Sequence, residues 1–278
     1  MSLMTVDHVS YGYSRKPVLR SVRFSVNRGE VVSLLGPNGS GKTTLLKVML
    51  GLYRPESGQV LLEGRPVCDM PPREVARRIA YVPQVHRLAF SYRVMDVVLM
   101  GRMPHKPFFF RYSGKDEEMA VRAMERLSIA HLKDRPYTEV SGGERQLALI
   151  ARALTQGADI FIMDEPVNGL DYGNQIRLLK QIADLAGNGY TFIKTTHFPE
   201  HALWVSDRVV MLRDGQVIAD GDAGTVTSEQ NLYRLYNTRV GVMDAAGGLR
   251  VCVPRALQGR EAFSGERIQD DYCYRAAS

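Results

Sequence analysis

Cysteine is scarce in this chain: Cys68, Cys252 and Cys273 are the only three in 278 residues, and they lie far apart. An odd, scattered set builds neither a disulfide framework nor a zinc site with recognisable ligand spacing. Long apolar runs are missing too, none approaching the roughly 18–20 residues that a membrane span needs. The opening residues, Met1-Ser2-Leu3-Met4-Thr5-Val6-Asp7, lack a basic segment followed by an apolar core. No signal peptide is expected, and the chain is expected on the cytosolic side. There is no lysine-rich block, internal repeat or low-complexity segment. The net charge of +6 therefore suits nucleic acid, a phosphorylated ligand or a membrane-facing surface without choosing among them. With 45% hydrophobic and 24% charged residues, the composition is that of a globular protein. The length allows one large domain with a subdomain and a tail.

Against this background one stretch carries strong chemistry: Gly36-Pro37-Asn38-Gly39-Ser40-Gly41-Lys42-Thr43-Thr44. It follows an apolar run at 31–35 and opens an amphipathic run at 45–52. Strand, glycine-rich turn and helix is the context in which G-x-x-x-x-G-K-[ST] cradles phosphate. Glycines let backbone N–H groups turn inward, and the positive end of the next helix adds to the nest. Lys42 is expected to reach the β- and γ-phosphates, and the Thr43 hydroxyl to complete the shell of a Mg²⁺ ion.

In chain order, residues 5–9, 22–26 and 31–35 read as short strands, with Asn27-Arg28-Gly29-Glu30 as a hairpin turn between the last two. Tyr11 and Tyr13 lie before that turn, and an aromatic there either stacks on a nucleobase or packs. The helix after the phosphate loop ends near Gly51 and Pro55. A strand at 58–64, a helix at 73–78 and a buried strand ending at Gln84 follow. From 85 to 158 the texture becomes helical, with spacing at 94–100 and 116–131, and the region reads as an inserted helical subdomain. Pro104 and Pro107 interrupt the stretch before Phe108-Phe109-Phe110, so it is no regular helix. A helix follows Ser141-Gly142-Gly143-Glu144, and Ile160-Phe161-Ile162-Met163 reads as a strand covered on both faces. A helix at 175–185, a strand at 190–196 ending at His197, and a hairpin about Asp214-Gly215 come next. Thr227 to Gln230 reads as a capping box. Beyond 237 the tail holds a short strand at 250–253, and its last dozen residues are expected to be loosely ordered.

Carboxylates at the end of the apolar strand, Asp164 and Glu165, suit distinct jobs: Mg²⁺ binding through its water shell for Asp164, and general base for Glu165. Gln84 and His197 also end apolar strands, and parallel strands present their C-terminal ends on one sheet edge. There an amide can ligate Mg²⁺ or the attacking water, and a histidine can bond the γ-phosphate. His197-Phe198-Pro199-Glu200-His201 matches H-x-x-E-H, a zinc-peptidase pattern. That chemistry needs both histidines on one continuous helix, whereas Pro199 belongs in a first helical turn, so the zinc reading is rejected.

Together these residues resemble the ATP-binding subunits of ABC transporters, over residues 4–237. Gly36 to Thr44 looks like Walker A and 160–165 like Walker B. Gln84 resembles the Q-loop glutamine, Val140-Ser141-Gly142-Gly143-Glu144 the LSGGQ signature, Asn168-Gly169-Leu170-Asp171 the D-loop, and His197 the switch histidine. Val140 and Glu144 depart from the usual Leu and Gln, which puts a direct ligand role for Glu144 in question. The resemblance implies an α/β P-loop NTPase (RecA-like) core with a mixed sheet, an N-terminal antiparallel β subdomain and an inserted α-helical subdomain at 85–158. Residues 1–237 would form the ATPase domain and 238–278 a C-terminal extension. It also implies ATP with Mg²⁺ as cofactors, held by Gly36, Pro37, Asn38, Gly39, Ser40, Gly41, Lys42, Thr43 and Thr44. Tyr13 would stack on adenine and Asp171 would join the site. Thr43, Gln84 and Asp164 would serve the metal, and Glu165, His197 and Gln84 the hydrolysis.

The implied assembly is a head-to-tail homodimer in which Ser141, Gly142 and Gly143 of one subunit contact the γ-phosphate bound by the other. The segment from Val94 to His105 resembles importer ATPases for metal chelates: ferric siderophore, haem, cobalamin or molybdate. That branch implies permease subunits, an external substrate-binding protein acting through them, a peripheral place on the cytoplasmic face of the membrane and no nucleic acid. The alternatives are an exporter ATPase, an importer for another substrate, or a non-transport ABC protein. The absence of a coiled-coil insertion, a cysteine-rich zinc module and a second nucleotide domain weighs against the last.

Overall fold

The structure is a computed structural model that describes residues 2–14, 16–84, 91–107 and 109–255. Strands β1 (Met4–Tyr13) and β2 (Lys16–Val26) pair antiparallel. The chain then crosses to a second sheet with β3 (Val31–Leu35) and enters α1 (Lys42–Met49). It returns through β4 (Ser57–Leu62) and β5 (Arg65–Pro66), which complete a four-stranded antiparallel sheet in the order β2-β1-β4-β5. The Asn27–Glu30 turn is thus no hairpin, contrary to expectation. Both edges of β3 are taken by parallel neighbours, which leaves β2 nowhere to pair on it. Gly29, at φ 75°, makes the change of sheet, and its N–H donates to the Thr191 hydroxyl at 2.9 Å.

Helix α2 (Pro72–Arg78) leads into β6 (Ile79–Val82). The segment between β6 and the next strand carries α3 (Val94–Leu99), a 3₁₀ stretch over Met100–His105, α4 (Gly114–Arg126) and α5 (Gly142–Gln156). Helix α4 stops five residues short of the expected end, because Ser128 takes a left-handed backbone at φ 59° and a 3₁₀ turn follows at Ala130–Leu132. Phe110 packs edge-on against Tyr112, and Phe109 is 88% exposed. Phe108 and residues 85–90 lie outside the described residues.

The remaining elements are β7 (Ile160–Met163), α6 (Tyr172–Ala186), β8 (Thr191–Thr196), α7 (Pro199–Val205), β9 (Arg208–Arg213) and β10 (Gln216–Asp222). After them come α8 (Ala223–Val226), α9 (Glu229–Tyr236), β11 (Val240–Asp244) and β12 (Arg250–Pro254). The central sheet runs β10-β9-β3-β8-β7-β6, parallel except for β10. It is buried on both faces, as β7 shows by alternation. Ile160 and Ile162 join the core shared with the antiparallel sheet and α1, while Phe161 and Met163 join the core under α3–α6. Each such side chain stabilises the fold by about 1.5–3 kcal/mol. The helical segment shares this second core with the sheet.

Two expectations about the C-terminal part change. The N-cap of α9 is Ser228, which accepts from Asn231 N at 3.3 Å, and not Thr227. Thr227 is instead the C-cap of α8, its N–H donating to Ala223 O at 3.2 Å. The short strand at 250–253 has a partner, β11, and their hairpin packs through Val240, Val242 and Cys252 on a third core with Ala202, Leu232 and Leu235. The last dozen residues and Cys273 lie outside the described residues.

Lys194 interrupts the apolar pattern of β8 and is 1% exposed. Its Nζ donates to the carbonyl of His201 at 3.1 Å, tying the sheet to α7. Burial pushes its ammonium down to about 7. The unfolded lysine titrates near 10.4, so between about pH 7 and pH 10 the unfolded chain binds the extra proton. This residue's cost to stability is therefore fully present below pH 7 and shrinks as pH rises. Lys194→Met removes the charge at similar length. Its melting temperature is expected to exceed that of the wild type most at pH 7 and below, with the gap narrowing by pH 9, measured by thermal unfolding across that range.

Candidate nucleotide site

The parallel register of β6, β7, β8 and β3 brings their C-terminal ends to one edge, where the loop between β3 and α1 also sits. Local packing explains the loop's glycines. A Cβ on Gly36 would lie 2.2 Å from Leu212 O, so the chain must pass β9 bare. Gly39 and Gly41 take positive φ, 80° and 103°. Gly41 is the N-cap of α1 and offers no side-chain cap, which leaves first-turn N–H donors available to a ligand. The Ser40 hydroxyl is buried without a hydrogen-bond partner. An uncapped helix start and an unpaired hydroxyl under a glycine loop fit a polyphosphate.

A cavity of about 620 Å³ opens over this loop, lined by Asn38, Gly39, Gly41, Lys42, Thr43 and Thr44 together with Val18, Gln84, Glu165, Asn168 and His197. Lys42 is 6% exposed, and its Nζ donates to Gly36 O at 2.7 Å and Pro37 O at 3.1 Å. Burial pushes its ammonium down, opposed by the carboxylates of Glu165 and Asp164. Glu165 is the hub of the cavity. Its carboxylate accepts from Gln84 Nε2 at 3.1 Å and Asn168 Nδ2 at 3.4 Å, faces His197 Nδ1 at 3.2 Å, and lies 3.8 Å from Lys42 Nζ. Its backbone is left-handed at φ 45°, a conformation that costs a non-glycine residue about 1–3 kcal/mol. Thr195 holds it there: the hydroxyl accepts from Glu165 N at 2.7 Å and donates to Asp164 Oδ1 at 2.8 Å.

Several expected residues sit outside this cavity lining. Gly36, Pro37 and Ser40 do not line the cavity, the first two accepting from Lys42 through their carbonyls, and Asp164 is buried and bonded to Thr195. The Tyr13 hydroxyl lies 3.4 Å from Thr44 Oγ1, its ring edge-on to Tyr11 and Tyr53. Ser141, Gly142 and Gly143 begin α5 and line no part of the cavity. Asp171 caps α6, accepting from Asn174 N at 2.9 Å and Asn174 Nδ2 at 2.6 Å, which holds its carboxyl below the usual range. The same Asn174 lies against Gly143, where a Cβ would come within 2.8 Å of its amide carbon.

The two departures in the signature have plain structural roles. Val140 is 2% exposed within the core, so an apolar side chain is what the position needs. Glu144 closes a capping box with Ser141: it accepts from Ser141 N at 2.7 Å, and Ser141 Oγ accepts from Glu144 N at 3.3 Å. The Ser141 N–H is the main cause holding the Glu144 carboxyl below its ordinary range. Sequence reasoning missed this box, although S-x-x-E is its signature. It also missed Asn168 as a cavity residue and Thr195 as the support of both carboxylates. The spacing of Asn168 three residues after Glu165 was an available signal.

The family profile described as "ABC transporter" matches residues 19–168. The chain belongs to the ABC transporter family. As a member it binds ATP and is an ATPase, and ATP-binding subunits of ABC importers dimerise and work with transmembrane permease subunits. An ABC transporter ATP-binding protein of Haemophilus influenzae is 39% identical over 85% of this chain and 90% of its own length. The ferric enterobactin transport ATP-binding protein of Escherichia coli is 33% identical over 89% of this chain and 92% of its own. A metal-chelate type ABC transporter in an inward-facing conformation superimposes with a TM-score of 0.82 at 30% identity, covering 91% of this chain and 97% of that one. Among the described residues, no helix of this ABC protein is long and apolar enough to cross a membrane.

Lys42→Ala removes the cation that meets the phosphate loop at Gly36 and Pro37. Equilibrium binding of ATP is expected to weaken about 10- to 100-fold, the worth of a charge-assisted contact, with the fold intact by circular dichroism. Unchanged affinity would remove the loop from the binding site.

Proposed function

We propose that this chain is the energy-coupling ATPase of an importer for a metal chelate, such as a ferric siderophore or a related complex, and that it hydrolyses ATP at the Glu165 cavity. The observation that carries the hydrolytic reading is the junction at Glu165. A carboxylate that faces a histidine 3.2 Å away and accepts from an amide 3.1 Å away is oriented for one water and one proton transfer. Glu165 accepts the proton of the attacking water, and His197 holds the carboxylate in line. Lys42 and the N–H groups at the start of α1 stabilise the charge on the transferred phosphate. Thr43 and Gln84 would hold Mg²⁺, with Asp164 acting through its water shell. The ion would supply charge neutralisation on the phosphates, and the donor set of hydroxyl, amide and carboxylate oxygens fits a hard cation.

The site is half built within one chain. Ser141, Gly142 and Gly143 stand at the start of a 15-residue helix with its dipole and capped hydroxyl, outside the cavity that holds Lys42. In a head-to-tail pair they would close over the phosphates held by the other subunit. ATP then bridges the halves, its hydrolysis releases them, and the motion is passed on as a two-state element. A second cavity of about 580 Å³, with Leu52, Met70, Val75, Tyr81, Met103 and Pro104 among its lining, is the surface for the permease. Its apolar wall suits a short helix of a membrane partner. The metal-chelate assignment rests on the relative that transports ferric enterobactin and on the structural neighbour of metal-chelate type. The chain would work at the cytoplasmic face, with an external binding protein delivering cargo to the permease.

Glu165→Gln keeps the shape of the side chain and removes the base. Its ATPase turnover is expected to fall by about 10²-fold or more while ATP stays bound, and size-exclusion with ATP and Mg²⁺ should show a dimer. A monomer with full turnover would refute the site. For the cargo, loss of radio-iron siderophore uptake in cells lacking the chain supports the metal-chelate reading, and unchanged uptake of every such chelate tested refutes it.

A further inference from the structure

The switch residue His197 meets Glu165 through its ring, but its backbone is held from elsewhere. The Tyr236 hydroxyl donates to His197 O at 2.9 Å across 39 residues of sequence. Tyr236 is the last residue of α9, and the helix stops there because Asn237 takes a left-handed backbone at φ 55°. Leu232 and Leu235 bury the preceding turn in the third core, so the tyrosine ring starts from a fixed base. Burial, chiefly, and the nearby Glu200 carboxylate push its phenol well above the ordinary range, which keeps it a neutral donor.

The residues after His197 are pinned in the same way. Phe198 packs against the His197 ring with centroids 4.1 Å apart. Lys194 Nζ reaches His201 O from the sheet at 3.1 Å. Trp204 Nε1 donates to Arg250 O of β12 at 3.1 Å, which fastens the far end of α7 to the C-terminal hairpin. The segment from 197 to 204 is thus anchored to the sheet, to α9 and to the hairpin, and the anchor on His197 itself is Tyr236.

We infer that Tyr236 is a positioning residue for hydrolysis: by holding the carbonyl of His197 it sets the ring against Glu165, so that α9 and the hairpin behind it form part of the catalytic apparatus. The inference rests on the reading of His197 and Glu165 given above. Tyr236→Phe keeps the ring and its packing and removes only the donor. In the full-length protein, kcat for ATP is expected to fall about three- to tenfold, the worth of one hydrogen bond, with KM for ATP within about twofold of wild type. In a His197→Ala background, the same substitution should change residual turnover less than about twofold, because the group it positions is gone. A wild-type kcat in Tyr236→Phe, or a change confined to KM, overturns the inference. So does an equal fold-loss with and without His197, which would mark a structural effect. Where the residual turnover of His197→Ala falls below detection, the split between kcat and KM decides alone. Full turnover in His197→Ala would instead overturn the hydrolysis reading, and the inference with it.

Discussion

Four segments of the chain meet at the carboxylate of Glu165. Lys42 comes from the phosphate loop, Gln84 from the end of β6, Asn168 from the turn after β7, and His197 from the end of β8. The meeting depends on the parallel register, which aligns the ends of β6, β7 and β8 within one sheet. It depends equally on a left-handed residue that the chain would not adopt unaided. Thr195 compensates the strain with one hydroxyl that serves both the amide of Glu165 and the carboxylate of Asp164. Residues held in such a backbone by their surroundings cluster at functional sites.

The signature segment follows a different logic. Ser141 and Glu144 satisfy one another at the start of α5, so the helix is capped within a single chain and ready before any partner arrives. Glu144 is a cap whose carboxylate accepts from the Ser141 amide, which leaves Ser141 and Gly142 as an exposed surface at the helix start. Asn174, bonded to Asp171 and packed on Gly143, joins this surface to the turn that also carries Asn168.

Much of this was legible before any coordinates, for a physical reason. Phosphate, metal and water require particular side chains: a lysine after glycines, carboxylates after an apolar strand, an amide and an imidazole at strand ends. Such residues leave marks that a reader can find. The supports do not. Tyr236 and Trp204 both donate to backbone carbonyls, of His197 and Arg250, and any residue provides a carbonyl. The misread turn at Asn27–Glu30 has the same origin, since local turn chemistry cannot say which sheet receives the next strand. Strand β11 was missed because Val240-Gly241-Val242 is too short a pattern to stand without its partner.

We propose that each phosphate loop is completed by the Ser141 segment of a second copy. Two defective proteins test it directly. Lys42→Ala spoils the loop and leaves the signature, whereas Ser141→Arg spoils the signature and leaves the loop. The measurement is ATPase activity of each alone and of an equimolar mixture. Both are expected to be inactive separately and the mixture to regain activity, because a mixed pair holds one sound loop opposite one sound signature. Full activity of Ser141→Arg by itself, or a mixture as inactive as its parts, would contradict it.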